Sequence, residues 1–592
     1  MSFHPNDVAR RGRGASIVLA LMFGVLLSAF FRTQILQHSR YTLQSEENRL
    51  REVPLPAPRG VIYGRNGQVI AENVPGYSVS LLNSTADSLQ SALHRMGALV
   101  ALDSGQIAAS VRRYRRSPNR PTLVLSDAPF DVVSVLEEHR IEFPGLIIQS
   151  APKRYYPAGS AVAPIVGYVG EITEAELASP EYQDYKAGQQ VGKRGLEEEY
   201  EKQLRGKEGV RFVEVDALGR VVREAGARQD LLPQAGPPLQ TNIDMDLQRF
   251  TASIFGDSLS GGAIALDPNT GAVLALYSAP TYDPNQFIGG IPSSLWKQLS
   301  TDKRHPLYNK VIQGTYPPGS TWKLATATIA LENGVATLDS KMPLPCTGGY
   351  QFGTRYFRCW KPSGHGDVTM SQAITQSCDV YFYQLGLKIG LSRLAAGGVA
   401  LGFRKKTGID LPGEQSPSFP LADAEEYYDR RYGKRGWTEA VVLNLAIGQG
   451  ENSQTVANMA RFYTALATNG EAATPEIVKG DPKRTRIFAL SDEQMAGIRA
   501  AMAGVTRAGG TAASAAIKGV VLAGKTGSAQ NSHDPNRTHA WFVGFAPADH
   551  PKIVVAVLIE FGGEGARAAR IAAKMVQEYL KVAPTQLLQT DG

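Results

Sequence analysis

The chain opens on an uncharged apolar run, ASIVLALMFGVLLSAFF from Ala15 to Phe31, preceded by Arg10, Arg11 and Arg13 and closed by Arg32. About 17 to 20 such residues, rising ~1.5 Å each in a helix, just cross a hydrocarbon layer. The pattern therefore predicts a transmembrane anchor over residues 15–36, behind a cytoplasmic tail of residues 1–14. The basic flank stays inside, which puts the rest of the chain outside the cytoplasmic membrane, in the periplasm or extracytoplasmic space. A cleaved secretory signal is the alternative, for which Ser28-Ala29 offers a weak small-residue site; the length of the run favours an uncleaved anchor. Residues 34–51 then read as a polar helical stalk leading into Pro54, Pro56 and Pro58.

Two strand-turn-strand patterns follow. In RGVIYGRNGQVIAEN, two short apolar runs flank Asn66-Gly67, a pair that tolerates positive φ and so favours a tight hairpin. In GAIALDPNTGAVLAL, the runs Ala263 to Leu266 and Ala272 to Leu276 straddle Asp267-Pro268-Asn269-Thr270-Gly271, a turn sequence. Between them, residues 75–235 read as short strands and helices with no long periodic helix and no assignable topology. PQAGPP, Pro233 to Pro238, reads as a linker, so the division is a domain over residues 37–238 and a second over 239–585. The end of the chain supplies VVLAGKTGSAQ, HAWFVGFAP and KIVVAVLIEF, then a helical stretch from Ala566 to Lys581. Three adjacent strands closed by a helix predict an antiparallel sheet covered by helices, the α+β class.

Composition adds little and excludes one class. At 592 residues, with 43% hydrophobic and 20% charged residues, the chain is globular and too long for one core. The net charge of +7 is spread along the whole length, without the basic stripe that nucleic acid requires.

The chemistry concentrates in GTYPPGSTWKLATATIALENG, residues 314–334. Pro317 and Pro318 suit a helix start and Asn333-Gly334 its end, which places Ser320 on the first turn and Lys323 one turn on, facing the same side. A serine hydroxyl is a poor nucleophile until a neighbouring base takes its proton, and a lysine serves once burial or a second cation lowers its pKa. The spacing alone is weak, since Ser294 with Lys297 and Ser300 with Lys303 repeat it. The stronger signal is an ordered set: Ser320 and Lys323, then Ser377-Cys378-Asp379, then Lys525-Thr526-Gly527. Lys406-Thr407-Gly408 duplicates the last triplet, but it follows Arg404 and Lys405 and precedes a Pro-Gly turn, which reads as a solvated loop. Lys525 lies in a β-rich run and can project from a sheet edge into a cleft.

These three motifs resemble those of penicillin-binding proteins and serine β-lactamases. The whole exported part is similar to a class B penicillin-binding protein of the elongation-type branch called penicillin-binding protein 2. The resemblance rests on RGVIYGRNGQVIAEN, YPAGSAVAPIVGYVGEI, VGKRGLEEEYEKQLRGKEG, YSAPTYDPNQF, SCDVYFYQLG, TGIDLPGE, AIGQGE and GKTGSAQ, in family order over about residues 50–565. It implies a dimerisation-type pedestal followed by a transpeptidase of the penicillin-binding/β-lactamase-like fold, a serine-type D-Ala-D-Ala transpeptidase of the carboxypeptidase class. By the same resemblance Ser320 attacks the penultimate D-alanyl carbonyl of a stem peptide, Lys323 is the general base and Ser377 relays protons. Asp379 stands where many relatives carry asparagine. Lys525 supplies positive charge, Thr526 and Ser528 hydrogen-bond the substrate carboxylate beside Gly527, and the backbone N–H groups of Ser320 and Ser528 form the oxyanion hole. β-Lactams acylate Ser320, and a RodA-type polymerase is the membrane partner within the elongation machinery. Pro164 departs from the histidine expected in the pedestal motif.

Cys346, Cys359 and Cys378 are all the cysteines there are, and His365 lies among them. Three thiolates and one imidazole make a full tetrahedral zinc set. A disulfide between Cys346 and Cys359 is the other reading for an exported chain. The residues alone leave the two open; the resemblance favours a structural zinc that braces Ser377, with no cofactor for catalysis. Other functions that share the motifs are a β-lactamase or penicillin-sensing receptor, for which a long pedestal has no evident use, an inactive scaffold, which needs no intact motif set, and a division-type transpeptidase. VGKRGLEEEYEKQLRGKEG and the Cys/His cluster favour elongation. No acidic-pair glycosyltransferase motif occurs in residues 40–240.

Overall fold

The computed structural model describes residues 5–38, 50–82, 85–118, 120–216, 221–223, 229–530, 534 and 537–582. It begins with a helix over Pro5–Phe31, which takes in the arginine flank as well as the apolar run, and continues as a π-turn over Arg32–Leu36. Within the span Ala9–Leu36 an 18-residue window has a mean hydropathy of 2.3, and none of that window is buried. A helix that is apolar on every side and covered by no other part of the chain matches a lipid environment. Most of the predicted polar stalk lies outside the described residues, and its last two, Leu50 and Arg51, start the strand Leu50–Leu55 instead of ending a helix.

The first predicted hairpin forms. Ile62–Tyr63 pairs antiparallel with Val69–Leu81, and Gly67 takes the left-handed turn position at φ 77°. The long strand continues into ladders with Leu146–Tyr155 and Thr122–Leu125. Two helices, Ala86–Val100 and Ser104–Arg116, correct the reading of residues 75–235 as lacking any long helix. The first buries only Leu89, Ala92, Leu93 and Met96, a narrow stripe at i, i+3, i+4 and i+7 among polar neighbours. The second buries just Ser110 and Tyr114, and is held by an Asp103–Gln106 capping box with arginines in its last turn. PQAGPP is no free linker. Gln234 exchanges backbone hydrogen bonds of 2.8 Å with Lys207, and Gly236 N–H donates to Pro58 O at 3.0 Å. Leu239–Gln240 then pairs parallel with Ile62–Tyr63, stitching the next domain to the hairpin.

In the second domain five strands run antiparallel in the order Val273–Ala279, Gly261–Leu266, Ile553–Ile559, Thr538–Ala546, Ala523–Gln530. Ile264, Leu266, Val554, Ala556 and Leu558 face the large core that holds the helices Lys323–Glu332 and Val456–Ala467. Their neighbours Ala263, Ala265, Val555 and Val557 face the helices Met245–Phe255 and Gly565–Leu580. Both faces are covered, which explains why these strands read as continuous apolar runs, and the α+β expectation holds. The arrangement leaves Ala523–Gln530 at the edge of the sheet, beside the turn that carries Ser320.

A buried ion cluster ties the pedestal together. Glu197, fully buried, accepts from Arg59 and, at 2.7 Å, from Arg154 Nε; Arg59 also reaches Glu201 at 2.6 Å. Burial alone would raise the Glu197 carboxyl, but Arg154 and Arg59 hold it below the usual carboxylate range. Removing the charge at the centre strands the buried Arg154 guanidinium and leaves Arg59 with the Glu201 carboxylate alone. Glu197→Gln is therefore expected to cost about 3–5 kcal/mol, read as a lower denaturation midpoint of the full chain in detergent; a loss below ~1 kcal/mol would show the cluster to be no more than a surface pair.

Candidate active site

Ser320 sits on a 3₁₀ turn, Gly319–Trp322, that runs directly into the helix Lys323–Glu332. The turn is fixed from several sides. Thr321 Oγ1 donates to Pro318 O at 2.7 Å, Trp541 Nε1 donates to Pro317 O at 3.0 Å, and the buried Tyr463 hydroxyl donates to Thr321 O at 2.9 Å. Gly319, at φ 53°, donates its N–H to Gly448 O at 2.9 Å. A side chain at Gly448 would collide with Gly319 O and Trp322 Cβ, and one at Gly527 would lie 2.9 Å from Pro318 O. Glycine at 448 and 527 thus lets two other segments approach the nucleophile's backbone. Ser320 itself remains half-buried, so its hydroxyl can be reached.

Lys323 is fully buried and its ammonium has three acceptors: Ser377 O at 2.8 Å, Ser377 Oγ at 3.2 Å and Asp379 Oδ1 at 2.7 Å. Ser377 can occupy this place because it caps the helix Met370–Gln376 in the left-handed conformation, φ 56°, which turns it back toward the nucleophile helix. Asp379 begins the helix Asp379–Ile389, where a carboxylate suits the N-terminal dipole. Its second oxygen accepts from Trp360 N–H at 3.0 Å.

Lys525, on the edge strand, is a second fully buried amine in the site. Its described hydrogen bond is to Thr526 O at 3.1 Å. Burial first, and the Lys323 ammonium second, push it well below the usual lysine range, against an opposing pull from Asp379. Thr526 Oγ1 shares a hydrogen bond of 2.7 Å with Thr511, and Ser528 Oγ accepts from Gly565 N–H at 3.2 Å. The decoys fall elsewhere. Ser294, Lys297 and Ser300 lie on an exposed helix, Ser293–Thr301, with Lys303 exposed just beyond it, and Thr407 is tied by its N–H and hydroxyl to Glu414.

The four predicted metal ligands converge. One donor atom each from Cys346, Cys359, His365 and Cys378 lies within 4.8 Å of the others, and the thiols are free, so the disulfide reading does not describe this structure. His365 Nδ1 is 3.5 Å from both Cys346 Sγ and Cys359 Sγ. The thiol hydrogen bond from Cys378 holds Cys359 below the usual thiol range, and the same contact, with burial, pushes Cys378 up. Such sharing of one proton between sulfurs is the chemistry of a set that would rather share a cation.

Sequence reasoning missed Trp360, Tyr463, Trp541 and Thr511, and noted Gly448 only as part of a motif. No local pattern marks them, and two meet the site across a long stretch of chain: 142 residues separate Tyr463 from Thr321 and 224 separate Trp541 from Pro317.

A model of the penicillin-binding protein transpeptidase domain matches residues 261–579, and one of the penicillin-binding protein dimerisation domain matches residues 54–241. The peptidoglycan D,D-transpeptidase MrdA of Haemophilus influenzae is 32% identical, over 97% of this chain and 92% of that protein. The complex between penicillin-binding protein PBP2 and MreC from Helicobacter pylori superposes with a TM-score of 0.78 at 29% identity, covering 90% of this chain and 99% of that one. A structure on the coordination of polymerization and crosslinking by a peptidoglycan synthase complex gives 0.69 at 30% identity, covering 97% and 99%.

The buried amine at 525 yields a test with two opposed readouts. The unfolded chain holds this proton up to about pH 10.5 and the folded chain releases it lower, so folding is weakened throughout that window and gains stability as pH rises. Lys525→Met is expected to raise the thermal midpoint at pH 7, by about 2–4 °C per kcal/mol recovered, while reducing penicillin acylation at least ~100-fold. A variant that is both less stable and normally acylated would contradict this account of the site.

Proposed function

The chain belongs to the penicillin-binding protein transpeptidase family, and from that membership we propose that its acyl transfer runs through Ser320, in an enzyme that cross-links peptidoglycan during cell elongation. It is a peptidoglycan D,D-transpeptidase: it forms a serine acyl-enzyme on the stem peptide, releases D-alanine and is inhibited by β-lactams. The observation that carries the catalytic assignment is the Lys323 ammonium held between Ser377 and Asp379, with a second buried amine, Lys525, beside it.

Three acceptors use all three N–H bonds of Lys323, so in this arrangement it has no lone pair to offer. Lys525, pushed toward its neutral form, has one. A substrate carboxylate arriving beside Lys525 favours its ammonium form, and the proton can pass from Lys323 through the Ser377 hydroxyl to reach it. Lys323 is then the free base that takes the Ser320 proton as Oγ attacks the penultimate D-alanyl carbonyl carbon. Backbone N–H groups of Ser320 and Ser528 would hold the oxyanion. Collapse of the tetrahedral intermediate breaks the peptide C–N bond; the leaving D-alanine amine takes a proton by way of Ser377, and an ester remains on Ser320. An acceptor amine attacks that ester, gives up a proton along the same path, and leaves a new amide and a free Ser320. Thr526 and Ser528 would bind the donor carboxylate on the edge strand.

The cluster of Cys346, Cys359, Cys378 and His365 would hold a structural zinc through three Sγ atoms and Nδ1. When bound, the ion supplies a cross-link between the loop at 346–365 and the Ser377-Cys378-Asp379 segment. Residues 1–14 would be cytoplasmic, residues 15–36 the anchor, residues 37–238 the pedestal and residues 239–585 the catalytic domain in the extracytoplasmic space. A RodA-type glycosyltransferase and other elongation proteins would dock on the anchor and pedestal. The relatives found with MreC and in a peptidoglycan synthase complex support that placement.

Fluorescent penicillin is expected to label the full chain stably, and mass spectrometry to find the adduct on the peptide containing Ser320. Ser320→Ala should abolish labelling; an adduct that persists refutes the assignment, and rapid loss of label from the parent chain would mean a hydrolase. Elemental analysis of the purified chain should give about one zinc per molecule. Cys346→Ser should lower that content and the thermal midpoint together, and zinc near zero in the parent chain removes the metal from the account.

A further inference from the structure

His539 stands on the strand Thr538–Ala546, opposite Ala529 of the edge strand and outside the groups that carry the acyl transfer. It is only 5% exposed. Its ring packs edge-on against Tyr316 at 5.3 Å, in the segment leading into the Ser320 turn, and tilted against Phe561 at 5.1 Å. One imidazole thus touches the approach to the nucleophile on one side and the loop after the strand Ile553–Ile559 on the other.

Its hydrogen bond fixes its protonation. Phe561 N–H lies 3.2 Å from His539 Nδ1. A backbone N–H can only donate, so Nδ1 is a bare acceptor and the ring is neutral, with its proton on Nε2. Phe561 depends on that bond, because it is a bulky residue at φ 53°, in the left-handed region that favours glycine. The residues after it are laid on the sheet edge. Gly563 N–H donates to Thr538 O at 3.1 Å, and Gly563 O accepts from Thr538 Oγ1 at 2.9 Å. Gly565 N–H reaches Ser528 Oγ at 3.2 Å, and a Cβ at Gly565 would lie 2.7 Å from Gly527 O. Residues 561–565 therefore back the stretch of edge strand assigned above to the donor carboxylate.

Burial lowers the His539 imidazole below the usual histidine range, against an opposing pull from Glu560. Glu560 is itself engaged: the Tyr316 hydroxyl donates to it at 2.8 Å, the Ser260 hydroxyl donates to its other oxygen, and Lys310 and Tyr308 feel its charge. The other charged group here is Arg537, whose guanidinium lies 4.3 Å from the centre of the Phe561 ring. The folded chain takes up the His539 proton only at lower pH than the unfolded chain does. Stability therefore starts to fall as pH drops through the ordinary histidine range, and the bond to Phe561 is lost lower still.

We propose that neutral His539 is a positioning residue for acyl transfer: its Nδ1 latches Phe561, so that residues 561–565 hold the edge strand at Ser528 in place beside the Ser320 turn, and protonation of the ring opens the latch. A proton on Nδ1 sets two donors face to face. The effect on rate rests on the acyl-transfer reading; the latch itself does not.

Two readouts on the full chain in detergent, taken between about pH 5 and 8, test this: the rate of acylation by fluorescent penicillin, and hydrogen-exchange protection of the peptide holding residues 561–565, corrected for intrinsic exchange. In the parent chain both are expected to fall together toward acid pH. His539→Asn puts Oδ1 near the place of Nδ1 and does not titrate, so both should hold their neutral-pH values. His539→Leu has no acceptor and should acylate about tenfold more slowly at every pH, the worth of one hydrogen bond. Phe561→Gly adopts positive φ unaided and should flatten the acid fall, which decides the matter where the His539 substitutions do not fold. An acid fall of parental size in His539→Asn or in Phe561→Gly overturns the proposal, as do parental rates and protection in His539→Leu. Protection that behaves as described in a chain that penicillin does not label counts against the catalytic reading and leaves the latch standing.

Discussion

Two amines brought together in one buried cleft set the terms for the rest of the catalytic domain. Lys323 and Lys525 are each sealed from water, and Asp379 is the carboxylate that contacts one of them directly. A cation without a partner in such a place gives up its proton before it gives up its fold. Burial and the neighbouring Lys323 push Lys525 well below the usual lysine range, while Asp379 and the Ser377 hydroxyl contact Lys323. An asparagine at 379 would hold the same geometry by hydrogen bonds; the aspartate adds a negative charge against Lys323.

Holding that arrangement requires three stretches of chain to meet within hydrogen-bond distance, and the fold does it with backbone at least as much as with side chains. The nucleophile turn is clamped between Gly448 on one side and the edge strand at Gly527 on the other, at separations that leave no room for Cβ atoms. Ser377 enters through a left-handed residue at a helix end, a conformation that costs about 1 kcal/mol or more for a residue other than glycine. Cys378 follows immediately, so the cysteine and histidine cluster grips the chain directly beside that left-handed residue.

The legible parts of the molecule were those encoded locally. Both hairpins announced themselves through Asn66-Gly67 and the Pro-Asn-Thr-Gly turn, and the apolar strands at 540–559 read correctly because a sheet covered on both faces needs no alternation. Lys525 could be told from Lys406 by its apolar neighbours alone. What stayed hidden was long-range or weakly patterned. The helices at 86–100 and 104–116 expose most of their surface, so their buried stripe was too thin to stand out. PQAGPP looked like a linker because proline and glycine mark irregular backbone whether it is free or, as here, bonded to Lys207 and Pro58. The partners of the nucleophile turn were invisible because each is placed by the whole fold.

The departure at Pro164 shows how a motif can change without disturbing what it does. Pro164 opens the short helix Ala163–Val166, where a missing N–H is harmless, and its carbonyl accepts from Asn309 Nδ2 at 3.0 Å. That contact uses the backbone, which any residue supplies. The same is true of Asn285, whose side chain bonds both N–H and C=O of Tyr156 at 3.0 Å, and of Arg194, which donates to Leu307 O at 3.1 Å. Tyr200 goes further: its hydroxyl donates to Asp410, whose two oxygens also accept from the N–H groups of Ile477 and Val478. Pedestal and catalytic domain are thus joined by the strand pairing of Leu239–Gln240 with Ile62–Tyr63, by side chains of one reaching main chain of the other, and by the Tyr200–Asp410 bond. A join made this way tolerates drift in many side chains while keeping the pedestal and the catalytic domain in register.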